Sequence, residues 1–356
     1  MTISSKVATS TKWTELEHNG VAFPPDHVQR GINIKILGEV YFLNREQEEL
    51  IYAWAKKKDT HYVRDPVFQS NFLSDFKKAI PDRFKSVQKI DDIDMSEAFS
   101  LVDKEASIKE AEKIRIKSLP REEKKRISQE KKLEKERLKS IYGKAKIDGN
   151  EVEVANWLVE PPGIFMGRGL HPLRGRWKPR ITAKDVILNL GEDASVPEGP
   201  WKAIVHDHNS TWLASWIENL TGKRKYVWLH DSSYLRQDND KAKYDTAKKL
   251  ENYIFDIEKE IVKQMSHTKD TTKRKVATVC YLIYKLAMRV GDEKDPDEAD
   301  TIGASTLRVE HLKFPVINDK IQIEFNFLGK DSVPWQKTLE ISSPDTRALY
   351  ENLLFY

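Results

Sequence analysis

The chain has 356 residues, 39 % hydrophobic and 33 % charged, with a net charge of only +4. That length accommodates two or three domains with real cores, and so small a charge excess does not by itself argue for a polyanionic partner. The single cysteine, Cys280, excludes a disulfide framework or a cysteine-based metal site within the chain and fits a reducing compartment. No apolar run is long enough to span a membrane, and the opening Met1-Thr2-Ile3-Ser4-Ser5 lacks the apolar stretch of a signal peptide.

The first dozen residues are small and polar and read as loose. From Lys12 to Tyr62 short β-like runs alternate with turns, and Pro24-Pro25 breaks any helix there. Arg45 to Lys58 predicts a helix, with Leu50, Ile51, Trp54 and Ala55 at helical spacing. A second helix carries Phe68, Phe72 and Phe76, each four residues from the last, and such a stripe belongs in a core. Residues 104 to 142 are more than half charged, with a helix-start signal at Ser118-Leu119-Pro120. Arg121 to Ser140 holds nine bases and five acids, too polar a helix to be buried, and Gly143 ends it. Taken alone this is a solvated helix or a coiled-coil arm.

Residues 147 to 230 are rich in turns and β-formers, and Trp212 and Trp216 are expected in the core. From Lys241 the pattern is helical to Val290. There Val276, Val279, Cys280, Ile283, Leu286, Ala287 and Val290 define an apolar face, Cys280 reads as a buried structural thiol, and Gly291 stops the helix. Ile321, Ile323, Phe325 and Phe327 alternate with polar residues and predict a half-buried strand, with Gly329 to Ser332 as the turn into a returning strand.

Charge is concentrated locally. From Pro161 to Leu190 there are six bases, Arg168, Arg174, Arg176, Lys178, Arg180 and Lys184, against the one acid Asp185. Such a patch in a balanced chain is either the footprint of a polyanion site or a solvated basic loop. Arg289 ends an apolar helical run and Lys330 sits in a hairpin turn. Alone, the first reads as a salt-bridged arginine and the second as an exposed turn lysine. Together they match what metal-free phosphate chemistry needs, a fixed cation for the non-bridging oxygens and an ammonium near the leaving oxygen. Arg168 lies between Gly167 and Gly169, which allow close backbone approach to a ligand. His206 and His208 flank Asp207, but no further ligand set has convincing spacing, so no metal site is expected.

Several long motifs occur in order: Lys12-Trp13 with Leu16-Glu17-His18-Asn19-Gly20-Val21, Pro66-Val67-Phe68 with Asn71-Phe72 and Asp75-Phe76, Glu160 through Pro172, Arg289-Val290-Gly291, Asp297 through Gly303, and Phe327-Leu328-Gly329-Lys330-Asp331-Ser332. In these the chain resembles the eukaryotic-type DNA topoisomerase IB family, from Lys12 to its last residue. The resemblance implies an α+β, bilobed DNA clamp. Residues 1–232 would form a mixed β/α DNA-binding cap, with charged helices inserted at about 104–142 that project toward the duplex. Residues 233–356 would begin a mostly helical catalytic lobe with a β-hairpin.

It further implies that Arg289 and Lys330 are catalytic, stabilising the five-coordinate phosphorus and protonating the departing 5′ oxygen. Arg168, His171, Lys178, Arg180 and His206 would face DNA, Arg236 and Lys243 would contact the backbone, and Asp331 would orient Lys330 or help bind. Asp292 stands where many eukaryotic members have asparagine, and Lys294 is expected to offset it at the DNA surface. The implied reaction relaxes supercoiled duplex DNA through a 3′-phosphotyrosine, with no cofactor, neither ATP nor metal. None of the twelve tyrosines lies in the family's nucleophile context. The chain is therefore expected to be inactive alone, either cut short or completed by a C-terminal polypeptide that supplies the tyrosine. The competing expectation is a non-catalytic duplex-DNA clamp. The implied compartment is the nucleus, or the nucleoid and cytoplasm for an archaeal member.

Overall fold

The computed structural model describes residues 11–267, 269–293 and 298–355. Helices and several small sheets combine in an α+β architecture, as expected. The chain divides into two compact units. One runs to Met166 and resumes at Arg174–Lys241; the other takes Gly167–Leu173 and Ala242 onward.

The first unit holds two apolar cores. In one, helix α1 (Arg45–Ala55) packs with α2 (Pro66–Ala79). Asn44 and Gln47 cap α1 reciprocally, each side chain accepting from the other's backbone N–H at 2.9 Å. Asp65 caps α2, accepting from Val67 N at 2.8 Å and Phe68 N at 3.1 Å, with Pro66 at the first helical position. Phe68, Phe72 and Phe76 are fully buried, and the Trp54 ring lies 4.3 Å from that of Phe72. The strands Asn33–Ile36, Glu39–Phe42 and Ile93–Asp94 cover this core as an antiparallel sheet.

The second core lies between two sheets. Leu16–His18, Lys144–Ile147 and Asn150–Glu153 form one. The other is four-stranded, in the order Ala203–Val205, Ile187–Asn189, Trp212–Ile217, Arg224–Trp228. Trp216 is buried, but Trp212 is only half-buried, contrary to expectation. Both lie on one strand, and the register shifts between Trp212 and Ala214, turning Trp212 out of the core. Among the described residues, helices α3 (Ser96–Ser118) and α4 (Arg121–Tyr142) bury only Ala98, as their composition requires. Helix α5 (Tyr234–Glu251) buries no residue and carries the chain across the boundary between the units.

The second unit packs α6 (Ile254–His267), α7 (Thr271–Leu286) and α8 (Pro344–Phe355) with a sheet whose main hairpin pairs Lys320–Leu328 with Pro334–Glu340. Ile323, Phe325 and Phe327 point into its core. Two expectations fail on α7. The helix ends at Leu286, not Val290, because Ala287 adopts a left-handed conformation (φ 53°, ψ 34°). The next carbonyls are then satisfied by another segment: Ala304 N donates to Arg289 O at 2.8 Å and Ser305 N to Val290 O at 2.7 Å. Its buried face is also rotated, to Ala277, Thr278, Tyr281, Leu282 and Leu286. Asn352 of α8 fixes that rotation, donating to Thr278 Oγ1 at 2.9 Å and to Met265 O at 3.1 Å. Cys280 is consequently half-buried, not enclosed.

Candidate nucleic-acid interface

Within the second unit the hairpin turn is tight and strained. Gly329 N donates to Val333 O at 2.9 Å, and Ser332 N to Gly329 O at 3.0 Å. Asp331 (φ 64°) and Ser332 (φ 58°) are both left-handed, a conformation that costs a non-glycine residue about 1 kcal/mol or more. Lys330 is exposed, and among the described residues its ammonium has no ion-pair partner. The strain is held by neighbours. Arg168 pairs with Asp331, and a Cβ at Gly169 would meet Ser332 Oγ at 2.5 Å, so this backbone seats directly on the turn.

Arg289 reaches the same region through one short segment. Ile302 N donates to Leu328 O, and Ala304 N to Arg289 O, both at 2.8 Å. Segment 302–304 thus hydrogen-bonds both to the Lys330 hairpin, at Leu328, and to the backbone of Arg289. Gly291 and Gly303 make this fit possible: a Cβ on Gly303 would lie 2.4 Å from Gly291 Cα. Arg289 is exposed and, among the described residues, has no ion-pair partner. A cavity of about 620 Å³ opens beside this arrangement, lined by Leu170, Pro172, Ile302, Phe327 and Arg308. Two cations held by rigid backbone, one guanidinium always protonated and one mobile ammonium, suit an oxyanion with more than one oxygen to bind.

The first unit treats its predicted residues differently. Arg174 is held by Asp65 at 2.7 Å, and Arg176 by Asp75 at 2.7 Å. Lys178 pairs with Glu160. Arg180 donates to Glu49 at 2.8 Å and to Pro24 O at 2.9 Å. With Arg168 on Asp331, five of the six bases between Pro161 and Leu190 therefore meet a carboxylate remote in sequence, and the basic segment is largely neutralised within the fold. Arg236 is likewise tied to Leu229 O at 3.2 Å and to Asp231 at 3.0 Å.

His206 Nδ1 lies 2.7 Å from Leu190 O, which orients its ring. His208 lies between Trp13 O at 3.0 Å and the Glu192 carboxylate at 3.1 Å; the backbone contact and then the carboxylate raise its pKa. His171 Nδ1 accepts from Leu173 N at 3.1 Å. Lys243 is exposed on α5, and Lys294 lies outside the described residues.

Two buried groups that sequence reasoning did not single out support these loops. His18 Nδ1 accepts from Gly20 N and its Nε2 lies on Asn189 O, both at 3.0 Å. Asn189, fully buried, accepts from Asp207 N at 2.8 Å and so fixes the loop that carries His206. Glu48, also fully buried, accepts from Arg30 N at 2.7 Å, Gly31 N at 2.8 Å and Ile32 N at 3.0 Å, and from His27 at 2.9 Å. Burial alone would raise its pKa, but these donors hold it below the ordinary carboxylate range. Local sequence carries no mark of either role, because every partner comes from a distant stretch or from backbone.

A family model described as "Eukaryotic DNA topoisomerase I, DNA binding fragment" matches residues 11–229, and one described as "Eukaryotic DNA topoisomerase I, catalytic core" matches residues 232–354. The chain belongs to the eukaryotic DNA topoisomerase I family. Among similar proteins, DNA topoisomerase 1 beta of Arabidopsis thaliana is 39 % identical over 336 residues, 93 % of this chain. DNA topoisomerase 1 of Caenorhabditis elegans is 36 % identical over 99 % of the chain, and that of Homo sapiens 35 % over 97 %. The chain spans only 35 % of the Arabidopsis protein's length and 44 % of each of the other two.

Proposed function

We propose that the chain is the DNA clamp and the opening part of the catalytic machinery of a type IB topoisomerase, which relaxes supercoiled duplex DNA. One observation carries this reading: Arg289 and Lys330 are both exposed and unpaired among the described residues, and segment 302–304 hydrogen-bonds both to Arg289 and to Leu328 of the Lys330 hairpin. A clamp that only held DNA would have no need of two unneutralised cations set on rigid backbone. In the proposed reaction a tyrosine hydroxyl gives its proton to water as its oxygen attacks a backbone phosphorus in line, forming a 3′-phosphotyrosine and breaking the bond from phosphorus to the 5′ oxygen. Arg289 stabilises the charge on the non-bridging oxygens, and Lys330 gives its proton to the 5′ oxygen. The phosphodiester bond energy is retained, so religation is the reverse step and requires no ATP.

The cap is proposed as residues 1–232 and the start of the catalytic lobe as 233–356, a division supported by the separate matches either side of residue 230. Arg168, His171, Lys178, Arg180, His206, Arg236, Lys243 and Asp331 are proposed as duplex contacts. The paired bases among them then exchange a carboxylate for a phosphate on binding, which favours weak sequence preference and steep salt dependence. The tyrosine is proposed to come from a C-terminal polypeptide. The relatives named above are eukaryotic, which supports the nuclear compartment over the archaeal alternative.

The test is relaxation of supercoiled plasmid in EDTA without ATP, by the chain alone and with the polypeptide that follows the matched stretch in the Caenorhabditis elegans relative. The expected result is salt-sensitive duplex binding but no relaxation alone, and relaxation with the added polypeptide that falls about 10²–10³-fold for Arg289→Ala. Relaxation by the chain alone would place the nucleophile among its own tyrosines. Binding without relaxation in either case would leave the non-catalytic clamp as the reading.

A further inference from the structure

Arg289 lies beyond the helix that precedes it. Helix α7 ends at Leu286, so no helical hydrogen bond fixes the backbone of residues 289 to 291. Their carbonyls are gripped by the short turn Ala304–Thr306 instead. Ala304 N donates to Arg289 O at 2.8 Å and Ser305 N to Val290 O at 2.7 Å. The Ser305 hydroxyl adds a side-chain link, donating to Val290 O at 2.8 Å and, more weakly, to Gly291 O at 3.3 Å. Val290 O thus takes an N–H and an O–H from one residue, and both its lone pairs are filled. A carbonyl held from two directions resists rotation, so the peptides that follow Arg289 are fixed.

This matters because nothing else steers the arginine. Its side chain is exposed, and among the described residues no carboxylate orients it. Where the guanidinium stands is set by the backbone that carries it. The neighbouring hydroxyl does different work: Thr306 Oγ1 accepts from Gly303 N at 3.0 Å and braces the turn internally. Ser305 is itself exposed, so loss of its hydroxyl leaves no cavity in the core.

We infer that Ser305 is a positioning residue for Arg289, its hydroxyl holding the Val290–Gly291 backbone so that the guanidinium meets the phosphate in one place. This rests on the proposed function for what Arg289 does.

The test uses the full chain with Ser305→Ala, Ser305→Thr, which keeps the hydroxyl, Arg289→Ala, and the Ser305→Ala/Arg289→Ala pair. Plasmid relaxation is followed with the polypeptide that follows the matched stretch in the Caenorhabditis elegans relative. Duplex affinity, thermal midpoint and amide hydrogen exchange are measured on the chain alone. Misplacing an oriented catalytic group costs up to about 10²-fold in rate, so Ser305→Ala should slow relaxation at saturating plasmid about tenfold. Duplex affinity should stay unchanged, the Ala304 and Ser305 amides should exchange faster, and Ser305→Thr should keep the wild-type rate. In the Arg289→Ala chain the same serine change should have no further effect, since no guanidinium is left to place. A serine that only supported the fold would slow both backgrounds alike. Equal losses in the two backgrounds, or a Ser305→Ala rate within about twofold of wild type, overturn the inference and leave the proposed function standing. Absence of relaxation by the wild-type pair is read before any serine variant; it overturns the proposed function and the role of Ser305 with it.

Discussion

His18 ties stability to pH in a way that can be worked from its contacts. Its Nδ1 accepts from Gly20 N at 3.0 Å, so the neutral ring carries its proton on Nε2, facing Asn189 O. A second proton would sit on Nδ1 against a backbone N–H, donor to donor. Burial therefore pushes the pKa down to about 4, against the opposing backbone hydrogen bonds to Asn189 and Leu213. In the unfolded chain the ring titrates near its ordinary value of about 6.5. Between these values the unfolded state binds more protons, so stability falls as pH falls. The contribution is complete above about pH 6.5 and is lost as pH drops toward 4. From pH 7 to pH 5 the expected loss is about 2 kcal/mol, and below pH 4 about 3 kcal/mol. Urea denaturation of wild type and His18→Asn at pH 7, 6 and 5 measures it, and the difference between the two removes every other titrating group. Equal slopes against pH for the two proteins would refute the reasoning, because no proton would then be taken up at residue 18 on unfolding.

Other outcomes follow from the same contacts. Glu160→Gln removes the carboxylate that competes with DNA for Lys178, and duplex affinity at low salt should rise severalfold in anisotropy titrations; an unchanged affinity would mean that Lys178 does not exchange Glu160 for phosphate on binding. Glu48→Gln sets an amide donor among backbone N–H groups and should destabilise the first unit by about 3 kcal/mol or more, seen as a lower thermal midpoint. A shift within error would show that the carboxylate is not needed to hold residues 30–32.

Much of this protein was legible in order along the chain. The Phe68, Phe72 and Phe76 stripe, the exposed charged helices, the break at Pro120 and the alternating strand before Lys330 all appear as read, because helix and strand periods and polar composition act locally. Motifs spread over the chain were enough to indicate the family. Local pattern failed where a distant segment competed for the same groups. Arg289 reads as helical, but the carbonyls of 289 and 290 find donors at 304 and 305, and the helix ends three residues before it. The apolar face of α7 was misread because Asn352, some 74 residues on from Thr278, decides which side is buried.

The same division holds for charge. The sequence alone determines that six bases cluster between Pro161 and Leu190. Only the tertiary structure decides that five of them meet carboxylates, while among the described residues Arg289 and Lys330 do not. Composition counts charges, but a charge is free or neutralised according to what folding brings within about 4 Å, where Coulomb attraction and hydrogen bonding act, and those partners lie up to 163 residues away.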